Sequence, residues 1–187
     1  MAFVVLYDAC VLYPASIRDL LIRLAGTGLF RARWTDRILN ECFASIVAAR
    51  PELEGKLGRT RQLMEKAIPD ARVCDYEPIA AGLSLPDEND CHVLAAAIRS
   101  GAQVIVTANL RDFPADALAR YDVEAQHPDA FVLHLLSLGP GAVLHAVRAQ
   151  ASSLHNPPCT VAELLDTLES RGLVQSVGEL RKLLGPR

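Results

Sequence analysis

Residues 86–114 read PDENDCHVLAAAIRSGAQVIVTANLRDFP, and this stretch decides the fold class. Its first half predicts a helix, because VLAAAI supplies an apolar, small-residue face and Gly101 can end the helix. QVIVT then predicts a strand buried on both faces, since it is apolar and β-branched without a helical period. A helix that leads into a buried strand indicates an α/β sheet with parallel strands.

The segments before this stretch extend the same alternation towards the start of the chain. Residues 2–7 (AFVVLY) predict a first buried strand, and a helix follows Pro14, with Ser16 as its cap. Further elements are predicted in this order: a helix capped by Thr35, a helix over residues 53–67 and a short strand over residues 71–74. The alternation predicts a three-layer α/β/α domain with a central parallel sheet.

The end of the chain departs from this alternation at the segment LGPG, residues 138–141. Beyond it the sequence predicts three helical segments, near residues 142–154, 161–170 and 177–184. We therefore expect an α/β/α domain over residues 1–138 and a small C-terminal helical appendage over residues 139–187.

The cysteine pattern and the hydropathy exclude several classes of protein. The five cysteines are scattered and form no C-x-x-C pair, which argues against a zinc site or a disulfide framework. No apolar stretch approaches the ~20 residues that span a bilayer, and AFVVLY is too short for a signal-peptide core. We expect a cytoplasmic protein without membrane contact.

The charge of the chain is unevenly distributed. A net charge of −3 argues against a protein that coats nucleic acid through bulk electrostatics. Residues 18–66 carry ten Lys or Arg against six Asp or Glu, whereas residues 70–130 carry four against eleven. A basic flank beside an acidic centre suits a metal-dependent nuclease, although ordinary solvated helix faces give the same pattern.

Acidic side chains follow both predicted buried strands. Asp8 comes directly after the first strand, Asp112 follows the second, and Asp90 lies near the start of the helix that precedes the second. Because the carboxyl ends of parallel strands share one edge of a sheet, we expect these three carboxylates to converge. Converging carboxylates repel one another unless a cation neutralises them, and oxygen ligands favour Mg2+ or Mn2+.

Each of these acids also has a purely structural interpretation. Asp87 can cap a helix with Asp90 as its capping-box partner, and Asp112 can start a turn. Asp8 is harder to explain in this way, because a charge at the end of a buried strand needs a partner. Spacing does not select Glu41, which falls off the apolar stripe of its own helix.

Three motifs, taken together, resemble the PIN-domain family. They are YDACVLYP, ILNECF and the 86–114 stretch, and the closest likeness is to the VapC toxins of bacterial toxin–antitoxin pairs. The likeness covers roughly residues 3–138. It implies catalytic and metal-binding roles for four acids, Asp8, Glu41, Asp90 and Asp112. It also implies that two polar residues near the last acid, Thr107 and Asn109, support the site. Many relatives have the fourth acid where this chain has Asn109, but relatives of this subtype similarly carry N-x-x-D-F, and we therefore assign the role to Asp112.

The resemblance also implies an activity and partners. It implies a Mg2+- or Mn2+-dependent endoribonuclease that cleaves RNA by metal-activated water and leaves 5′-phosphate ends. It further implies a homodimer and a cognate antitoxin whose tail enters the acidic groove. Basic side chains are expected to contact the RNA phosphates, in particular Arg18, Arg33, Arg37 and Arg111.

Cys10 departs from the family pattern and keeps other functions open. The family usually places Asn or Ser two residues after the first acid, and a thiol is a weaker donor. Either water substitutes, or the site is looser than usual, or this copy is impaired, in which case the PIN fold only binds RNA or an antitoxin. An α/β phosphatase is a weaker alternative, because the chain has neither a D-x-D-x-T/V loop after the first strand nor a lysine after a later one. Near the third acid, His92 is expected to be a partly exposed helix residue.

Overall fold

The computed structural model of the protein describes residues 2–185. Within that part of the chain, the centre is a four-stranded sheet in which every pairing is parallel. The strands are β1 (Phe3–Tyr7), β2 (Phe30–Arg33), β3 (Val104–Val106) and β4 (Glu124–Gln126), in the spatial order β2-β1-β3-β4. Leu6 of β1 pairs with Ile105 of β3, so the two strands predicted to be buried lie side by side in the middle.

Eleven α-helices accompany this sheet within residues 2–185. In chain order they are α1 (Ala9–Leu12), α2 (Ala15–Ala25), α3 (Asp36–Ala49), α4 (Leu57–Ala67), α5 (Glu77–Ala80), α6 (Cys91–Ser100), α7 (Ala115–Ala119), α8 (Pro128–Leu138), α9 (Pro140–Ser153), α10 (Val161–Ser170) and α11 (Val174–Leu184). Single 3-10 turns also form, at Pro51–Leu53, Glu88–Asp90 and Leu110–Asp112. The predicted three-layer α/β/α fold with C-terminal helices is confirmed.

The helix ends follow the sequence signals with one exception. Thr35 begins α3 by accepting a hydrogen bond from the N–H of Ile38 at 3.0 Å. Gly101 ends α6 with a φ of 65°, in the left-handed region that glycine adopts without strain. The predicted Ser16 cap is wrong, because α2 begins at Ala15, directly after Pro14, and Ser16 lies inside its first turn.

The strand predicted over residues 71–74 is reduced to a single parallel bridge. The N–H of Trp34 donates to the carbonyl of Ala71, and the N–H of Val73 donates to the carbonyl of Trp34, both at 2.9 Å. This bridge holds the chain after α4 against the end of β2.

Four buried aromatic rings form the core beside β1 and β2. The rings of Tyr7 and Trp34 stack with centroids 6.5 Å apart, and Phe30 meets Phe131 edge-on at 5.1 Å. All four side chains are at most 2% exposed, so little of their apolar surface contacts water. Their packing fixes the end of β1, and the chain enters the candidate site directly after it.

The C-terminal helices share this core. From α9, Gln150 Nε2 donates to the carbonyl of Ser16 in α2 at 2.8 Å. Asp129 of α8 accepts hydrogen bonds from the N–H groups of Gln175 and Ser176, at 2.9 and 2.8 Å, at the start of α11. The boundary predicted between residues 138 and 139 stays a prediction. Within residues 2–185, no helix combines the length and apolar character needed to cross a membrane.

Candidate active site

A cleft of about 480 Å³ opens where the chain leaves β1. Three of the predicted acids, Asp8, Glu41 and Asp90, line it, and Asn109 lies beside them. Asp112 does not line the cleft, although its charge acts on Asp90. A larger cleft of about 700 Å³ lies between α10 and α11, but its described lining includes no acid. The cleft after β1 is therefore the one that brings the predicted acids together.

Asp8 is held in one orientation by its neighbours. Asp8 is only 8% exposed. Its Oδ1 accepts a hydrogen bond from the N–H of Ala9 at 2.7 Å, and this contact caps the start of α1. Its Oδ2 accepts from Thr107 Oγ1 at 2.8 Å. These contacts satisfy a carboxylate at the end of a buried strand and keep it directed at the cleft.

Cys10 makes polar contacts within the site, at the position where the motif resemblance implies Asn or Ser. Its Sγ donates to Asp8 Oδ2 at 3.0 Å and accepts from the N–H of Ala108 at 3.2 Å. Burial, followed by the negative charge of Asp8, raises the pKa of this thiol to about 12. The sulfur therefore stays protonated at neutral pH, which its role as a donor to Asp8 requires.

Asp90 is the electrostatically most unusual acid of the site. Its pKa is raised to about 6, first by burial and then by the negative charges of Asp8, Asp87, Asp112 and Glu41, in that order. No described side chain or N–H donates a hydrogen bond to its carboxylate, so no compensating contact favours the charged form. This acid is poorly stabilised as an anion unless a cation joins it.

The capping-box interpretation of Asp90 is wrong. Asp87 does act as a cap, but it accepts from the N–H of Asn89 at 2.9 Å and opens the 3-10 turn Glu88–Asp90. Helix α6 begins after that turn, with Asp90 at its N-cap position and no side-chain cap bond. The Asp90 carboxylate is therefore left for the cleft.

Each carboxylate oxygen of Glu41 has a partner on a different helix. Its Oε1 accepts from Arg37 Nε at 2.9 Å, one turn earlier on α3, and its Oε2 lies 3.1 Å from His92 Nε2. The prediction that His92 is partly exposed is wrong, because α6 turns this residue towards α3 and leaves it 3% exposed. Burial lowers the pKa of His92 below its ordinary value. The sequence carries no signal for this contact, because it joins two helices that are far apart along the chain.

Thr107, Asn109 and Asp112 form a connected group after β3. Besides its bond to Asp8, Thr107 Oγ1 accepts from the N–H of Asn109 at 3.0 Å. Asn109 Nδ2 in turn donates to Asp112 Oδ2. Thr107 can therefore orient Asp8, and Asn109 can orient Asp112. The part of both residues in catalysis stays a prediction.

The donor set suits a hard divalent cation, but the carboxylates do not yet surround one. Within residues 2–185, no group of three or more His, Cys, Asp or Glu side chains is close enough to hold a metal ion. The four acids supply only oxygen ligands, and burial, together with the charges of the neighbouring acids, raises the pKa of Asp90. The chemistry therefore fits Mg2+ or Mn2+, and coordination by three or more carboxylates requires them to draw together.

The four arginines predicted to contact RNA occupy different environments. Arg18 donates to the carbonyls of Leu12, at 2.6 Å, and Tyr13, and Arg33 donates to the carbonyl of Asp70. Both guanidinium groups are thus engaged in holding loops. Arg37 is half-exposed beside Glu41, and Arg111 is exposed next to Asp112. The last two are better placed for an RNA phosphate, and all four contacts stay predictions.

Comparison with known proteins places this geometry in a family. The PIN domain family model matches residues 4–111, which include β1, the α3 acid, the start of α6 and β3. The chain belongs to the PIN-domain family. A second model, that of the VapC50 C-terminal domain, matches residues 128–182, from α8 to α11. The resemblance to VapC-type PIN domains that the motifs indicated is therefore confirmed.

One curated relative of this PIN-domain protein comes from Mycobacterium tuberculosis and is named "Putative ribonuclease VapC50". The two are 47% identical over 79 residues, which is 42% of this chain and 47% of the relative. The match thus spans about half the length of that relative. No solved structure matches the PIN-domain chain at a significant level.

Proposed function

We propose that this PIN-domain protein is a Mg2+- or Mn2+-dependent endoribonuclease, the toxin of a toxin–antitoxin pair. The observation that carries the proposal is the state of Asp90, whose pKa rises to about 6 through burial and four neighbouring acids. Such an arrangement is costly for the folded chain and becomes favourable when a divalent cation neutralises it. An acid with a strongly raised pKa in a cleft is typical of functional sites.

Four residues would hold the cation: Asp8, Glu41, Asp90 and Asp112. When bound, a divalent cation supplies neutralisation of the phosphoryl oxygens and acidifies the water that attacks phosphorus. The chain's own contribution is orientation. Thr107 and Cys10 both donate to the same oxygen of Asp8, so the carboxylate cannot rotate away from the cleft.

The substrate class follows from the charges around the cleft. An acidic centre repels a phosphodiester unless cations lie near it; Arg37 is half-exposed and pairs with Glu41, and Arg111 is exposed and precedes Asp112 in the sequence. These side chains would bind the backbone on either side of the scissile bond. The relative's name supports RNA as the substrate. A cytoplasmic homodimer held in check by a cognate antitoxin is the corresponding biological context that we propose.

Cleavage of RNA by the purified protein tests the proposal. We expect Mn2+ to activate cleavage, EDTA to abolish it, and the products to carry 5′-phosphate ends. Asp8→Asn should lower the rate by at least ~100-fold, the scale of one lost electrostatic element, whereas Glu65→Gln, an exposed acid of α4, should not change it. RNA binding without cleavage would support a binding protein, and Mn2+-dependent hydrolysis of p-nitrophenyl phosphate alone would support a phosphatase. Either result would overturn the proposed ribonuclease.

A further inference from the structure

His92 occupies a position that the four-acid description of the site does not use. It lies in the first turn of α6, two residues after Asp90, and is only 3% exposed. Its Nε2 lies 3.1 Å from Glu41 Oε2 on α3. Its other ring nitrogen, Nδ1, is buried and has no hydrogen-bond partner within residues 2–185. The ring therefore makes one polar contact, and that contact is with a site carboxylate.

The two nitrogens define where the ring proton lies. A carboxylate can only accept, so the proton shared with Glu41 must be carried by Nε2. A second proton on Nδ1 would bury an N–H donor without an acceptor, which is costly. The neutral ring with its proton on Nε2 avoids that cost. His92 is therefore a single, fixed donor directed at Glu41.

The donor from α6 matters for Glu41 because the partner on its own helix, Arg37, holds it only weakly. Its side chain is 40% exposed and lies off the apolar stripe of α3. The ion pair with Arg37 is a weak constraint, since the Arg37 side chain is 50% exposed and solvent screens the pair. The contact with His92 is the buried one, and a low-dielectric environment strengthens it.

We propose that His92 is the positioning residue for Glu41 and sets the distance between the acids of α3 and α6. The proposal rests on the proposed ribonuclease function for its consequence, but the contact itself does not depend on activity. The start of α6 would then supply two elements of one site: the Asp90 carboxylate and the donor that directs Glu41. A histidine in this role touches neither RNA nor the reacting atoms.

Two substitutions of His92, with Val93→Ala as a control, separate the positioning role from ordinary packing. His92→Phe keeps a buried ring and removes the donor, so RNA cleavage should fall by roughly 10- to 100-fold, as for other residues that orient ligands. His92→Gln keeps an N–H near the place of Nε2 and should restore most of the loss. Val93→Ala, a fully buried neighbour on the same helix, should lower thermal stability without changing kcat. Equal loss in the Phe and Gln variants, at matched circular dichroism, would overturn the proposal.

Nitrogen NMR of the ring decides the question even if the protein cleaves no RNA. We expect wild-type His92 to carry its proton on Nε2 at neutral pH, with slow exchange of that proton. Glu41→Ala should shift the Nε2 signal and speed the exchange. A proton on Nδ1, or averaged signals from two tautomers, would overturn the positioning role. Absence of RNA cleavage with the expected NMR result would instead reject the ribonuclease function alone.

Discussion

Replacement of Asp90 by asparagine should stabilise the metal-free protein at neutral pH. The variant keeps the shape of the side chain and removes a charge that the fold disfavours. The pKa of Asp90 rises from an ordinary value of 3.8 to about 6, because of burial and the surrounding acids. At about 1.36 kcal/mol for each tenfold change in proton affinity, this rise corresponds to roughly 3 kcal/mol. Since the side chain is partly exposed, solvent screening reduces the expected gain to about 1–2 kcal/mol.

The stabilisation expected for Asp90→Asn depends on pH, because the pKa of Asp90 differs between the folded and the unfolded chain. The raised pKa means that the unfolded chain loses the Asp90 proton near pH 4 and the folded chain near pH 6. The wild-type protein therefore loses stability from this group as the pH rises from about 4 to 6. Above pH 6 the full penalty is present, and below about pH 4 it is absent. The advantage of Asp90→Asn should follow the same course.

Urea unfolding, followed by circular dichroism in EDTA, measures the difference at about pH 7.5 and about pH 4. We expect Asp90→Asn to be more stable at the higher pH and close to wild type at the lower. Glu65→Gln, which changes an exposed acid on α4, should stay within about 0.5 kcal/mol of wild type at both. A destabilised Asp90→Asn protein at pH 7.5, or an equal gain at both pH values, would refute the reasoning.

Three further predictions concern single contacts. Cys10→Ser should keep nearly full RNA cleavage, because a hydroxyl also donates to Asp8, whereas Cys10→Ala should lower the rate by roughly 10-fold. Equal cleavage rates in the Ser and Ala variants would exclude a role for the donor. Asp112→Asn should lower the RNA cleavage rate at saturating Mn2+ by at least ~100-fold, and Asn109→Ala by only ~10-fold, since the Asn109 amide supports the Asp112 carboxylate. A larger loss in Asn109→Ala would assign the role of the fourth metal ligand to Asn109. Asp129→Ala should lower the free energy of unfolding by about 2–3 kcal/mol, because α11 loses its acceptor, and an unchanged urea midpoint would contradict this.

The parts of the fold that the sequence predicts are those with a strong apolar pattern. β1 and β3 are continuous buried runs, and their position in the middle of the sheet follows from that burial. The outer strands were not predicted. In β2, FRAR alternates in burial over only four residues, and β4 is three residues long with one apolar side chain, so neither has enough pattern to recognise.

The site divides in the same way. The place of Asp8 in the cleft is predictable because it directly follows a buried strand, whose carboxyl end faces the cleft. The same argument does not bring Asp112 into the cleft lining, because a 3-10 turn separates it from β3, and its role stays a prediction. The contact between Glu41 and His92 is not predictable, because it joins two helices far apart in sequence, and helical periodicity gives the face of a residue but not its partner. The contacts of Cys10 are also tertiary, since they depend on β3 lying beside β1.

Isothermal titration calorimetry with Mn2+ tests most directly whether the acidic cluster is a divalent-cation centre. We expect saturable binding by the wild-type protein at neutral pH and greatly weakened binding by Asp90→Asn. Because the pKa of Asp90 is about 6 without metal, binding at pH 6 should release about half a proton, and binding near pH 8 almost none. Buffers with different ionisation enthalpies measure that number. Binding that is undetectable at millimolar Mn2+, or the same in Asp90→Asn, would contradict the metal centre on which the proposed function rests.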